Sequence, residues 1–227
     1  MKFQMKTKKI KFNLLTIFPN IFDSYLNESL IKRAQKSGII EVKIWNLRDF
    51  SKERHQKVDD RPFGGGPGMV LMFDPIERAI KKIKSKSKGG IKVILLSTRG
   101  KIMTSSLAKK FSNQKEIILI SGRYEGVDQR VADYLVDEEV SIGDYVLSGG
   151  ELPALVLLEA ISRFKEGFLG KYESLEDLKG FYPVYTKPAE LKIKSKKLKV
   201  PKVLLSGNHE KISLWRKEEQ LRNKKLA

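Results

Sequence analysis

Val140-Ser141-Ile142-Gly143-Asp144-Tyr145-Val146-Leu147-Ser148-Gly149-Gly150-Glu151-Leu152-Pro153 is the stretch on which the reading of this chain turns. Tyr145, Val146 and Leu147 read as a strand-like piece, Ser148-Gly149-Gly150 as the turn that ends it, and Glu151 and Pro153 as the opening of a helix. Proline suits a first helical turn, where an N–H would go unpaired, and a carboxylate suits the positive end of the helix dipole. Two adjacent glycines let backbone approach a ligand closely. An ordinary strand-to-helix turn has the same pattern, so the rest of the chain decides between a binding edge and a plain connection.

Working outward, the helix Glu151 to Phe164 is apolar around most of its circumference, which fits deep core or a dimer face. Upstream, Ile91 to Ser97 and Glu116 to Ser121 are short continuous apolar runs, the texture of strands in a parallel sheet covered on both faces. Lys11 to Phe18 and Ile39 to Leu47 read as two further strands. Between them Ile21, Phe22, Tyr25, Leu26, Leu30 and Ala34 recur at helical spacing as far as Gly38. Helices are also predicted from Asp74, with a cap and an early proline, over Thr104 to Asn113, and from about Val127 to Leu135. Alternating strands and helices argue for an α/β domain, whose ligands bind outside the carboxyl ends of the strands. Three loops qualify by position: Ser97 to Gly100, Ser121 to Gly126, and Ile142 to Gly150. None carries Gly-x-x-x-x-Gly-Lys-Ser/Thr or Gly-x-Gly-x-x-Gly, which disfavours a Rossmann-type methyltransferase or dehydrogenase. The long loop from Arg48 to Phe73 holds Gly64-Gly65-Gly66-Pro67-Gly68, and loops of that length inside a domain are usually functional or disordered.

Composition narrows the partners. The 227 residues include no Cys and only His55 and His209, so disulfides, cysteine zinc sites and a histidine-rich metal site are excluded. No run of apolar residues is long enough to span a bilayer, no targeting h-region follows the N-terminus, and a cytoplasmic protein without a membrane partner is expected. The net charge of +18 points to a polyanion. Lys outnumbers Arg 34 to 11, which compositional bias alone could produce, but most of the excess sits at the ends. Residues 1–11 carry five Lys and no acid, and residues 189–227 carry twelve Lys and Arg against four Glu. Arms of this kind suit phosphates, and a solvated basic surface has the same signature. Residues 1–10 therefore read as a basic extension and 11–164 as the α/β domain. Residues 165–188, with their changed polar texture, read as a flexible linker, and 189–227 as a small, mostly helical basic domain.

Four strings taken together are more specific than any of these patterns: Arg54 to Met69 (RHQKVDDRPFGGGPGM), Ser121 to Asp128 (SGRYEGVD), Ser141 to Pro153, and Val203 to His209 (VLLSGNH). They resemble the bacterial tRNA (guanine-N1)-methyltransferases, members of the SPOUT class, and the resemblance runs from about Lys11 to Leu221. It implies a parallel-sheet α/β domain with a C-terminal trefoil knot, a topology that general rules of chain connection would discard. It also implies S-adenosylmethionine as methyl donor, magnesium, a homodimer whose active sites draw on both subunits, and tRNA as substrate, methylated at N1 of the guanosine immediately 3′ to the anticodon.

Carried over position by position, the resemblance implies a donor pocket made by Ser97, Gly122, Glu125, Ile142, Gly143, Asp144, Tyr145, Val146, Leu147, Gly149, Gly150 and Pro153. It places His55, Asp59, Gly66, Pro67 and Gly68 beside the substrate, Arg163 near the guanine, and Asp177 as general base. Those types fit the chemistry. Guanine N1 holds a proton that a carboxylate must remove, and charge then grows on O6, where a guanidinium would stabilise it. The stretch Leu178 to Tyr182 is shorter than its family counterpart, so Glu176 and Glu173 stand beside Asp177 as candidate bases. Two other readings share these residues: an RNA-binding SPOUT dimer that has lost activity, and a SPOUT methyltransferase with another RNA target.

Overall fold

Successive residues of a strand point to opposite faces of its sheet, and in this chain both faces meet apolar layers. The computed structural model describes residues 9–87, 89–169, 180–194 and 196–224. The chain runs β1 (Ile10–Thr16), a 3-10 turn (Pro19–Phe22), α1 (Asp23–Leu26), α2 (Ser29–Lys36), β2 (Ile40–Asn46), β3 (Asp59–Asp60), β4 (Val70–Leu71) and α3 (Phe73–Ser85). It continues through β5 (Ile91–Ile102), α4 (Ser105–Ser112), β6 (Glu116–Ser121), α5 (Gln129–Tyr134), β7 (Glu138–Ser141) and α6 (Glu151–Ser162). Five strands form one sheet in the order β2-β1-β6-β5-β7, every neighbouring pair parallel. Phe12, Leu14, Ile94, Leu96, Ile117 and Leu119 face a core closed by α2, α4 and α6. Leu15, Val93, Leu95, Ile118 and Ile120 face a second core closed by α3 and α5.

Local chemistry accounts for most boundaries. Thr104 caps α4 by accepting from the Leu107 N–H at 3.2 Å, and Asp128 caps α5 by accepting from Arg130 N–H at 3.0 Å. The expected cap of α3 lies elsewhere. Met72, with extended backbone and no side-chain cap, precedes the helix, and Asp74 sits inside its first turn, where its charge faces the dipole. The single helix expected between the first two strands is broken at Asn27-Glu28 into α1 and α2, with Ser29 in the left-handed region at φ 48.

β5 is longer than its apolar run. Leu96 and Lys101 both pair with Val140 of β7, so Ser97 to Gly100 is thrown out as a bulge within a strand. A Cβ on Gly100 would lie 2.4 Å from the backbone of Glu139 and Val140, which fixes how closely the two strands pass. Within the sheet, buried Asn13, midway along β1, donates to Glu116 at the start of β6 at 2.8 Å and accepts from the Trp45 indole at 2.9 Å. Burial works against the Glu116 charge, but hydrogen bonds from Ser87, Lys11 and Asn13 outweigh it and hold the carboxyl below its ordinary value.

The chain divides into two compact units, Met1–Gly170 and Lys171–Ala227. The described part of the second holds an antiparallel hairpin of β8 (Glu190–Ile193) and β9 (Lys196–Lys199), then α7 (Lys202–Leu205) and α8 (His209–Lys224). The hairpin adds strand to a domain expected to be mostly helical. On α8, Ile212 and Trp215 are half-buried and Leu221 is exposed. Among the described residues no helix is long and apolar enough to cross a membrane.

Candidate functional site

The carboxyl ends of β6 and β7 flank the bulge within β5, and the bulge and the chain leaving β6 and β7 surround a cavity of about 510 Å³. That volume is in the range of small-molecule sites. Its wall is built from the Ser97 to Arg99 bulge, the segment Gly122 to Val127 after β6, and Tyr145 to Gly150 before α6. Of the twelve expected donor-pocket residues, Ser97, Gly122, Glu125, Ile142, Tyr145, Val146, Leu147, Gly149, Gly150 and Pro153 line it. Gly143 and Asp144 do not. Gly143 lies under the Tyr145 ring, where a Cβ would come within 2.3 Å of that ring, and its N–H and carbonyl are both held by the Ser141 hydroxyl.

Tyr145 to Leu147 is not a strand. The strand is β7, ending at Ser141, and Val146 is 84% exposed at the rim of the cavity. Aromatic and β-branched residues favour strands only where a neighbour can pair with them, and here the backbone instead turns back toward β6. Gly149 bridges to Arg123, and the Gly150 N–H donates to the Gly122 carbonyl at 2.9 Å. A Cβ on Gly150 would lie 2.6 Å from Ser121 Cα and 3.0 Å from Gly122 N, so glycine is what allows the two segments to meet.

A polar cluster backs that turn. Arg123 donates through Nε to Glu151 at 2.9 Å, ion-pairs with it through a second nitrogen at 2.9 Å, and donates to the Ser148 carbonyl at 3.2 Å. The Thr16 hydroxyl donates to Glu151 at 2.7 Å and accepts from the Phe18 N–H. Sequence reasoning used Glu151 only as a helix opener and gave Arg123 no role. The two are 28 positions apart, and no local spacing signals their pairing. Arg99, Tyr124 and Ser148, in the three loops singled out by position but given no role as residues, also line the cavity, as does Gln129, which lies outside those loops. Tyr124 is held at φ 62, a left-handed backbone that costs an aromatic residue roughly 1–2 kcal/mol. Below the rim, the guanidinium of Arg130 holds the Asp128 carboxyl beneath its ordinary value.

The glycine loop reaches this site by its far end. Glu125 N–H donates to the Met69 carbonyl at 3.0 Å, Leu71 N–H to Gly126, and Asp128 N–H to Leu71. Gly68 is pressed onto the Glu125 side chain, which a Cβ there would meet at 2.5 Å. Of the expected substrate residues, Gly68 therefore abuts the cavity. Gly66 and Pro67 are exposed, Asp59 pairs with Leu71 in the small β3–β4 ladder, and His55 is exposed with left-handed backbone. Arg163 follows α6 as its C-cap residue. Asp177, with Glu176 and Glu173, lies outside the described residues. Among the described residues no group of three or more His, Cys, Asp or Glu could hold a metal ion.

A family model described as tRNA (Guanine-1)-methyltransferase TrmD matches residues 10–227. The chain is 49% identical to a tRNA (guanine-N(1)-)-methyltransferase of Clostridioides difficile, across 94% of this chain and 93% of that relative. It is 47% identical to one from Ruminiclostridium cellulolyticum, across 93% and 91%. A crystal structure of the tRNA (m1G37) methyltransferase from Aquifex aeolicus superposes with a TM-score of 0.79 at 39% identity, covering 95% of this chain and 91% of that one. Likeness that spans both units and the whole cavity wall is more than a shared sheet, and by it the chain belongs to the tRNA (guanine-1)-methyltransferase family.

Proposed function

We propose that this protein methylates N1 of a guanosine in tRNA, the one immediately 3′ to the anticodon, with S-adenosylmethionine as donor. The observation that carries the reading is the cavity at the bulge of β5 and the ends of β6 and β7, walled in part by glycine backbone, in a chain of this family. The residues present suit the donor. The backbone of Gly122, Ile142, Leu147 and Gly149 lines the cavity where an adenosine would lie, and the Glu125 carboxylate lines it where an amino group would be met. The buried Ser121 hydroxyl, which has no partner among the described residues, sits directly behind the wall. When bound, the donor supplies an electrophilic methyl group on a sulfonium.

The chain's own residues do the rest. Asp177 accepts the N1 proton, with Glu176 and Glu173 as alternates in the same segment. Arg163 stabilises the charge that develops on O6. The loop ending at Gly68, strapped to Glu125, holds the guanosine against the cavity mouth, with His55 and Asp59 farther along the same loop. Magnesium belongs to this reading through the family resemblance alone. A trefoil knot in the C-terminal half of the first domain and a homodimer are also part of it. For the dimer the support is an exposed apolar face, in which Leu152 and Val156 of α6 adjoin the turn carrying Phe18 and Ile21. A second copy is the occupant this family implies.

The test is methyl transfer from labelled donor to two tRNA transcripts that differ only at the nucleotide 3′ to the anticodon. Incorporation is expected with G and not with A. The product should block reverse transcription at that nucleotide, because N1 lies on the pairing edge. Equal labelling of both transcripts would move the protein to another RNA target, and labelling of neither would leave a binding protein.

We place the phosphate-binding role in residues 189–227 of the second unit, beyond a linker at 165–188. Lys197 and Lys199 share Glu190 at 3.6 and 3.3 Å, whereas Lys192, Lys194 and Lys196 form no ion pair with a described residue. Neutralising Lys194 and Lys196 should therefore flatten the salt dependence of tRNA binding more than neutralising Lys197 and Lys199. The expected change in slope is about 0.7 to 0.9 for each phosphate that is no longer neutralised. Filter binding across a salt series measures it, and slopes unchanged in both pairs would make this charge a solvated surface.

A further inference from the structure

Glu151 is 1% exposed and Thr16, its hydroxyl partner, also 1%. Neither they nor Arg123 takes part in the chemistry above. A buried ion pair is costly to desolvate, and apolar residues of similar volume usually serve packing as well or better. What such residues could not supply is Arg123's fork. Two of its nitrogens are fixed on Glu151 while the third reaches the Ser148 carbonyl, and the flat face of Gly149 lies against it, where a Cβ would be 2.2 Å from Nε. The guanidinium also stacks over the Phe18 ring at 4.9 Å. The end of β1, the segment after β6 and the first residue of α6 are thus tied at one point behind the Ser148–Gly150 turn.

We propose, on the methyltransferase reading, that Arg123 is a positioning residue for methyl transfer and that Glu151 both fixes it and cancels its charge. The fork sets the path of Ser148 to Gly150, which forms one wall of the cavity. Cancellation matters because the donor carries a positive sulfonium. An unpaired guanidinium in the wall would repel the donor, while the demethylated product, a neutral thioether, would feel no such repulsion. Glu151 therefore makes the wall tolerant of the cation without giving up the arginine geometry.

The experiment measures binding of S-adenosylmethionine and S-adenosylhomocysteine by calorimetry, with thermal unfolding alongside, in R123K, E151Q and the apolar pair R123M/E151M. In R123K the charge balance survives and the fork is lost, so both ligands should bind about tenfold more weakly, to a similar degree, with the unfolding midpoint little changed. In E151Q the cation should lose about tenfold more affinity than the thioether, the effect of one added charge on the order of 10 Å away at an effective dielectric of about 20. Should E151Q not fold, R123M/E151M, which buries no charge, carries the test. It should fold, bind both ligands weakly, and keep the native ratio between them. Native affinity for both ligands in R123K and in R123M/E151M would make the ion pair purely structural and overturn the positioning role. An unchanged ratio in a folded E151Q would overturn the charge role. If the native protein bound neither ligand, the methyltransferase reading itself would fail, which the variants cannot mimic.

Discussion

Gly150→Ala is expected to abolish donor binding, or weaken it by at least about a hundredfold, while leaving the protein folded. Its backbone, at φ −82 and ψ −2, is one that alanine adopts freely, so the effect comes from space alone. The added methyl would meet Ser121 Cα at 2.6 Å, Gly122 N at 3.0 Å and Ser121 C at 3.2 Å. All three are backbone atoms of the end of β6 and the residue after it, and no side chain can swing away. Either the turn lifts from Gly122, breaking the 2.9 Å hydrogen bond that joins them, or the end of β6 shifts. Both change the cavity wall. Overpacking of this kind costs about 1–3 kcal/mol, which for a chain of this size lowers the unfolding midpoint by only a few degrees per kcal/mol. Calorimetric titration with the donor measures the loss. Gly90→Ala is the control, because nothing lies within 4 Å of a Cβ there. Near-native donor affinity in the Gly150 variant would remove this turn from the pocket.

The close approach at Gly150 is also a measure of what sequence can carry. β6 was legible as Glu116 to Ser121 because all six residues are buried, and the continuous run reports burial on both faces. β7 was not, because Glu138 and Glu139 open it and the strand pairs on one side only. Its charge is met by Lys92 and Lys101, residues remote in sequence that hold the Glu138 carboxyl low although burial opposes it. The bulge at Ser97 to Gly100 reads as a loop because its residues are polar, yet its register break is defined only by Val140, across the sheet. In the β8–β9 hairpin Glu190-Leu191-Lys192-Ile193 does alternate, but each strand is only four residues long and exposed on both faces, so no buried face marks it. The cavity wall is legible for a different reason. It is made of loop backbone in short glycine-bearing strings, whereas the Arg123 and Glu151 pair behind it depends on two loops meeting.

The largest effect on turnover should come from Asp177→Asn. Guanine N1 is protonated and a poor nucleophile, and an amide of the same shape cannot take its proton. Turnover should fall by about 10²–10⁴-fold, the worth of a positioned base. Donor affinity should be unchanged, since the cavity is walled by segments ending at Pro153. Single-turnover methyl transfer, paired with donor titration, separates the two quantities. Arg163→Ala should also depress turnover by removing positive charge from O6. The double variant should lose less than the product of the two losses, because both groups act on one proton-loss step and such residues are not additive. The shortened segment after Asp177 leaves Glu176→Gln and Glu173→Gln as necessary companions. If Asp177→Asn is near native and one of these is inactive, the base has moved within the segment and the methyltransferase reading stands. If all three turn over at the native rate, a carboxylate from this segment is not what removes the proton, and the base must be sought among the described residues at the cavity mouth, where Glu125 is already in place.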